Sequence, residues 1–105
     1  MIVTFEEKYL QELYETGKTT SKKHRFQPEV IKKYKRCIDI LYDADDAETL
    51  MRINSLNYEI LKGNKQGISS IRVNMQYRIE FTITTNGIES KVNICNILEL
   101  SNHYQ

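Results

Sequence analysis

"ISSIRVNMQYRIEF", residues 68–81, reads as two strands joined by a tight turn. Ile71 and Val73 alternate with Ser70, Arg72 and Asn74, and beyond the turn Tyr77, Ile79, Phe81 and Ile83 alternate with Arg78, Glu80 and Thr82. Period-2 alternation marks strands with one buried and one solvated face. A slip of one residue would send every apolar side chain to the wrong face, so only certain registers are allowed. One of them sets Arg72 opposite Arg78. Another sets Arg72 opposite Glu80 and leaves Arg78 beside Asn74. In the first, the arginines converge on something negative that the segment does not contain. In the second, they belong to a salt-bridged surface.

Outward from this hairpin the chain keeps its strand character on both sides. "NYEILKG" precedes it and "KVNICNILEL" follows, with "GNKQG" and "TNGIES" as turns. The second turn carries the Asn-Gly pair common in hairpins. Further upstream the period changes. Tyr9, Leu10, Leu13 and Tyr14 give one apolar stripe, stopped by Gly17, and Thr4 with Glu7 has the spacing of a capping box. Val30, Ile31, Tyr34, Cys37, Ile38, Leu41 and Tyr42 recur at helical spacing behind Pro28, which suits the first turn of a helix. "DDAETLMRI" reads as a third, short helix capped by Asp45 or Asp46. "IVTF" at the start is a strand that joins an edge of the sheet. Helices first and antiparallel strands afterwards make an α+β domain, with the helices packed on one sheet face.

At 105 residues the chain suits one domain with a single modest core. A hydrophobic share of 40% with 28% charged residues is globular rather than disordered. The formal charge of +1 conceals a segregation: Lys18, Lys22, Lys23, Arg25, Lys32, Lys33, Lys35 and Arg36 cluster, and Asp39, Asp43, Asp45, Asp46 and Glu48 follow. Such a basic block is either a solvated face or a polyanion-binding patch. Cys37 and Cys95 fall at core-facing positions, so buried free thiols are expected rather than a disulfide, a zinc site or a nucleophile. "MIVTF" is too short for a signal peptide and no apolar run reaches membrane-spanning length, so a reduced, cytoplasmic protein is expected.

With helices over the apolar face, the other sheet face carries Glu59, Arg72, Arg78, Glu80 and Thr82, and the last strand brings the tail "SNHYQ" to the same neighbourhood. A carboxylate, two guanidiniums, an imidazole and a phenol form a coherent set for phosphodiester cleavage in RNA. Glu59 can take the proton of a ribose 2′-hydroxyl, Arg72 and Arg78 can neutralise the phosphorane-like transition state, and His103 can protonate the leaving 5′-oxygen. Tyr104 can stack on a base or orient the phosphate. No metal or other cofactor is required when the 2′-hydroxyl is the nucleophile. Each residue also has a plainer reading. A strand arginine beside a glutamate is usually a cross-strand pair worth ~0.2–1 kcal/mol, and a terminal histidine is usually a solvated end.

The stretch "LKGNKQGISSIRVNMQYRIEF" resembles the hallmark of the RelE/ParE superfamily of toxin–antitoxin toxins, and of its HigB branch in particular. Shared features are an L-K-G strand end, a short loop, S-I-R-V-N, a turn, and an aromatic residue followed by R-I-x-F. The resemblance implies a RelE-like fold, with N-terminal helices on one face of a small, mainly antiparallel, twisted sheet. It implies a ribosome-dependent endoribonuclease that cuts mRNA in the 30S A site. It further implies neutralisation by a HigA-like helix-turn-helix antitoxin, through which operator DNA is met only indirectly. Within the superfamily, the YoeB branch is similar in its catalytic residues: Glu59 before "ILK" as general base, Arg72 and Arg78, and His103-Tyr104 near the end, with the histidine as general acid. Lys22, Lys23, Arg25 and Lys62 are the accompanying candidates for holding RNA. Here the chain ends "ILELSNHYQ", whereas HigB proteins close with Asp-Tyr-His directly after the last strand. Two rival readings share the fold: a ParE-like gyrase inhibitor, and a degenerate toxin that serves only as an antitoxin partner or co-repressor.

Overall fold

The computed structural model describes residues 1–102. Five strands, β1 (Ile2–Phe5), β2 (Glu59–Ile60), β3 (Ser69–Arg72), β4 (Tyr77–Asn86) and β5 (Val92–Asn102), form one sheet in the order β1-β5-β4-β3-β2. β1 runs parallel to β5 along one edge, and every other pairing is antiparallel. Of the registers the sequence allows, the structure takes the one that pairs Arg72 with Arg78 and Ser70 with Glu80. Ile71 and Ile79 then meet on the opposite face, where both are fully buried.

Among the described residues three α-helices supply the second layer: α1 (Lys8–Thr16), α2 (Pro28–Asp43) and α3 (Ala47–Met51). The expected apolar stripes are the buried ones. Leu10 and Leu13 of α1 and Tyr34, Cys37, Ile38 and Leu41 of α2 close over Ile71, Ile79, Phe81, Cys95 and Ile97 of the sheet. Pro28 occupies the first turn of α2, Gly17 ends α1 at a φ of 75°, and the Asp46 side chain caps α3 by accepting from the Thr49 backbone N–H at 3.0 Å. Cys37 and Cys95 are free and buried, and burial pushes their thiols up to about 11 and about 12. Neither thiol is therefore ionised at neutral pH. No helix among the described residues is long and apolar enough to cross a membrane.

Two local details differ from expectation, and a third had no sequence signal. Thr4 and Glu7 form no capping box: Thr4 belongs to β1, where its hydroxyl donates to Asn96 Oδ1 at 2.8 Å, and Glu7 sits at the α1 N-cap without a side-chain bond. The neighbouring strand takes the hydroxyl that the helix end would have used. "NYEILKG" yields only a two-residue strand, because single 3-10 turns at Asn54–Leu56 and Gly63–Lys65 flank it. Finally, β5 carries one extra residue, Leu98, since Glu80 faces Glu99 while Phe81 faces Ile97. This bulge lets Ile97 and Leu100, three apart, both reach the core. The β4–β5 turn has a stricter demand. Gly87 has a φ of +96°, and a Cβ there would lie 2.4 Å from the Ser90 carbonyl oxygen, so only glycine fits.

Tyr34 is the largest fully buried side chain, and its hydroxyl donates to the Leu10 carbonyl at 2.7 Å, tying α2 to α1. Tyr34→Phe removes this bond with little change in volume and should cost about 1 kcal/mol, whereas Tyr34→Ala should cost about 3–5 kcal/mol. Urea titration should show both as shifts in midpoint at an unchanged m value.

Candidate active site

Arg78 is the anchor of the open sheet face. It is only 5% exposed, and a guanidinium brings five donors that must find acceptors. Nε donates to Ser70 Oγ across the β3–β4 pair at 3.0 Å, and Nη2 donates to the Asn57 carbonyl at 2.8 Å. Asn57 can present that carbonyl because it adopts a left-handed φ of 46°, a conformation asparagine tolerates better than most residues. The same Nη2 lies 3.8 Å from Glu59 Oε2, an electrostatic contact rather than a hydrogen bond.

Glu59, Lys65, Ser70, Arg78, Glu80 and Ser101 line a hollow of about 220 Å3, together with Leu61 and Asn102. Its two nearest carboxylates differ. The Glu59 side chain is 49% exposed and touches only the edge of Arg78. Glu80 is 8% exposed, and both its oxygens accept from Lys65 Nζ, at 2.9 and 2.8 Å. This bond holds the Lys65 ammonium above the usual lysine range. Glu59 therefore has lone pairs to offer a proton donor, and Glu80 has already committed its own. The strand arginines do not form the cross-strand pair with Glu80 that strand chemistry would suggest, since lysine from the Gly63–Lys65 turn reaches that carboxylate first.

Arg72 stands directly opposite Arg78, partly exposed, and among the described residues it pairs with no carboxylate. Two guanidiniums facing one another repel unless an anion lies between or beside them. Arg78 has Glu59 beside it for this purpose. The hollow itself is lined by Arg78 and not by Arg72. His103 and Tyr104 lie outside the described residues. The last described pairings set Ser101 opposite Arg78 and Asn102 opposite Tyr77, so β5 ends at the hollow.

The basic segment sits elsewhere. His24 stacks on Tyr9, with ring centres 3.5 Å apart and planes 3° from parallel, and its Nδ1 lies 2.7 Å from Ser21 Oγ. Phe26 meets Tyr77 edge-on at 5.4 Å. These contacts hold the loop to α1 through His24 and to the start of β4 through Phe26, and Lys22, Lys23 and Arg25 remain exposed. None of the three lines the hollow. Lys62 is exposed between two lining residues, Leu61 and Lys65, without lining it. A larger hollow of about 410 Å3 lies over α2, between Ile31, Lys32, Lys35, Arg36 and Asp39, but contains no acid–base set beside a buried cation.

Sequence reasoning missed the roles of Ser70, Asn57 and Lys65. Ser70 was discoverable, since it shares a strand face with Arg72. Asn57 contributes a backbone oxygen, and Lys65 belongs to a glycine-bounded turn without periodicity, so neither left a pattern to read.

The family described as RelE-like toxin of type II toxin–antitoxin system HigB matches residues 3–94. Toxin HigB-1 of Vibrio cholerae serotype O1 is 42% identical over 83 residues, covering 77% of this chain and 82% of that protein. Among solved structures, a YoeB/ParE toxin from Agrobacterium tumefaciens superposes with a TM-score of 0.58 at 17% identity, over 99% of this chain and 100% of that one. A YoeB–YefM complex from Staphylococcus aureus gives 0.53 at 20% identity, over 99% and 98%. At such identities the two structures speak for the fold alone. The match over most of the sequence decides the family, and the chain belongs to the HigB-like, RelE-fold toxins of type II toxin–antitoxin systems.

Proposed function

We propose that the chain is a ribosome-dependent endoribonuclease that cuts mRNA without a metal, acts in the cytoplasm, and is silenced by a HigA-like helix-turn-helix antitoxin. The observation that carries this reading is the half-exposed Glu59 carboxylate beside the buried, pre-oriented Arg78 in one hollow of the open sheet face. Glu59 takes the 2′-hydroxyl proton as the 2′-oxygen attacks phosphorus. Charge then develops on the phosphoryl oxygens, where Arg78, already fixed by Ser70 and Asn57, needs no reorganisation to stabilise it. Arg72, opposite, adds a second cation. The bond from phosphorus to the 5′-oxygen breaks as His103 supplies its proton, leaving a 2′,3′-cyclic phosphate and a 5′-hydroxyl. His103 is next in sequence to Asn102, which lines the hollow, and Tyr104 beside it stacks on a base or orients the phosphate. Lys62, beside this centre in sequence, and Lys22, Lys23 and Arg25, on a loop that does not line it, hold RNA phosphates.

Glu59→Gln keeps the shape of a half-exposed side chain and removes the base. Cleavage of ribosome-bound message should fall by about 10²–10⁴-fold with ribosome binding and melting temperature unchanged. His103→Gln should lose a comparable factor, and Tyr104→Phe less. Trapped gyrase–DNA complexes alongside uncut transcripts would select a gyrase inhibitor instead.

The basic loop predicts a salt effect. Neutralising Lys22, Lys23 and Arg25 together should weaken ribosome association and flatten its salt dependence, because each lost phosphate contact releases fewer counterions. Unchanged affinity in the triple variant would return these side chains to a solvated face.

A further inference from the structure

Among the described residues Lys65 and Glu80 form the tightest ion pair of the open face, and nothing in the acid–base scheme above uses either. We propose that Lys65 is a phosphate-binding residue of this site and that Glu80 is the residue that positions it. The inference rests on the cleavage reading above and extends it to a third cation.

Stability does not account for the pair. Glu80 occupies a strand position between Ser70 on β3 and Glu99 on β5, and a carboxylate directly opposite another is repelled by it. Burying a charge is costly unless a partner compensates, and an uncharged strand residue would avoid both penalties. The partner comes from a turn bounded by Gly63 and Gly67, which take φ values of +68° and +89° with open space around them. That turn is shaped to deliver an ammonium to the hollow.

The geometry suits a phosphate. A lysine ammonium has three donors. Two are spent on the Glu80 oxygens, and the side chain remains 49% exposed, which leaves one donor for a phosphoryl oxygen in the hollow that Arg78 also lines. Glu80 fixes where the ammonium sits and keeps it protonated, while Glu59, not bound to Lys65, stays available as base. Without Lys65, the carboxylates Glu80 and Glu99 would repel a phosphate from that end of the hollow.

The test uses full-length protein on ribosomes carrying a cleavable message, and on ribosomes carrying the same message with a single 2′-deoxynucleotide at the cut position. Lys65→Met should lower the cleavage rate by about 10²-fold. It should also weaken binding to the uncleavable message and reduce the log–log salt slope by about 0.7, the loss of one phosphate contact on a single strand. Glu80→Gln should lower kcat without weakening that binding, since it removes a negative charge while freeing the ammonium. It should also move the alkaline limb of the pH–rate profile to lower pH, because Lys65 loses the partner that raises its pKa. The double variant should be no worse than Lys65→Met. Variants that melt earlier but keep wild-type kcat, affinity and alkaline limb would reduce the pair to a structural contact and overturn the proposal. If the wild-type chain cut no message, the cleavage reading would fail. Binding to the uncleavable message would still judge Lys65, and an unchanged affinity and salt slope in Lys65→Met would overturn it. Should Glu80→Gln fail to fold, Lys65→Met, at a half-exposed side chain, decides alone.

Discussion

A guanidinium buried on the face of a sheet constrains everything near it. Arg78 can remain at 5% exposure only while Ser70 Oγ and the Asn57 carbonyl accept its protons. The first acceptor requires the register that pairs Ser70 with Glu80 and Arg72 with Arg78. The second requires the 3-10 turn at Asn54–Leu56 and the left-handed residue that ends it. That turn delivers the chain to β2, whose first residue is Glu59. Strand pairing, turn geometry and the carboxylate beside the cation thus answer one demand, the satisfaction of a single side chain.

The charge arrangement of the hollow follows from the same economy. Each buried or half-buried charge there has a partner: Arg78 beside Glu59, Glu80 on Lys65. Its cations are thus already oriented, each held by a carboxylate or by neutral acceptors. The site is a preorganised polar environment rather than an open basic patch. The exposed cations of residues 22–25 do not line it, and lie on a loop fastened to α1 by His24 and to β4 by Phe26.

Much of this was legible in the residues. The alternation around Ile71 and Ile79 located β3 and β4, and the stripe through Tyr34 and Leu41 located α2, because apolar periodicity is dictated by which side faces the core. Arg72, Arg78 and Glu59 were legible as occupants of the polar sheet face, though not that Arg78 would be buried there. The choice between registers was not, since both satisfy the core equally and the polar contacts of Ser70 decide. Thr4 misled because a capping box and a strand hydroxyl have the same local sequence, and the contact with Asn96 lies 92 residues away. The bulge at Leu98 and the reach of Lys65 to Glu80 depend on three-dimensional closeness that no spacing encodes.

The central claim is that Glu59 and Arg78 serve an attack by the 2′-hydroxyl of RNA, and the chemical identity of the cut ends tests it most directly. End analysis of transcripts cut on ribosomes should find 2′,3′-cyclic phosphate, or its 3′-phosphate hydrolysis product, upstream of each cut and a 5′-hydroxyl downstream. A 3′-hydroxyl facing a 5′-phosphate would mean that water attacked phosphorus instead, and would contradict the account.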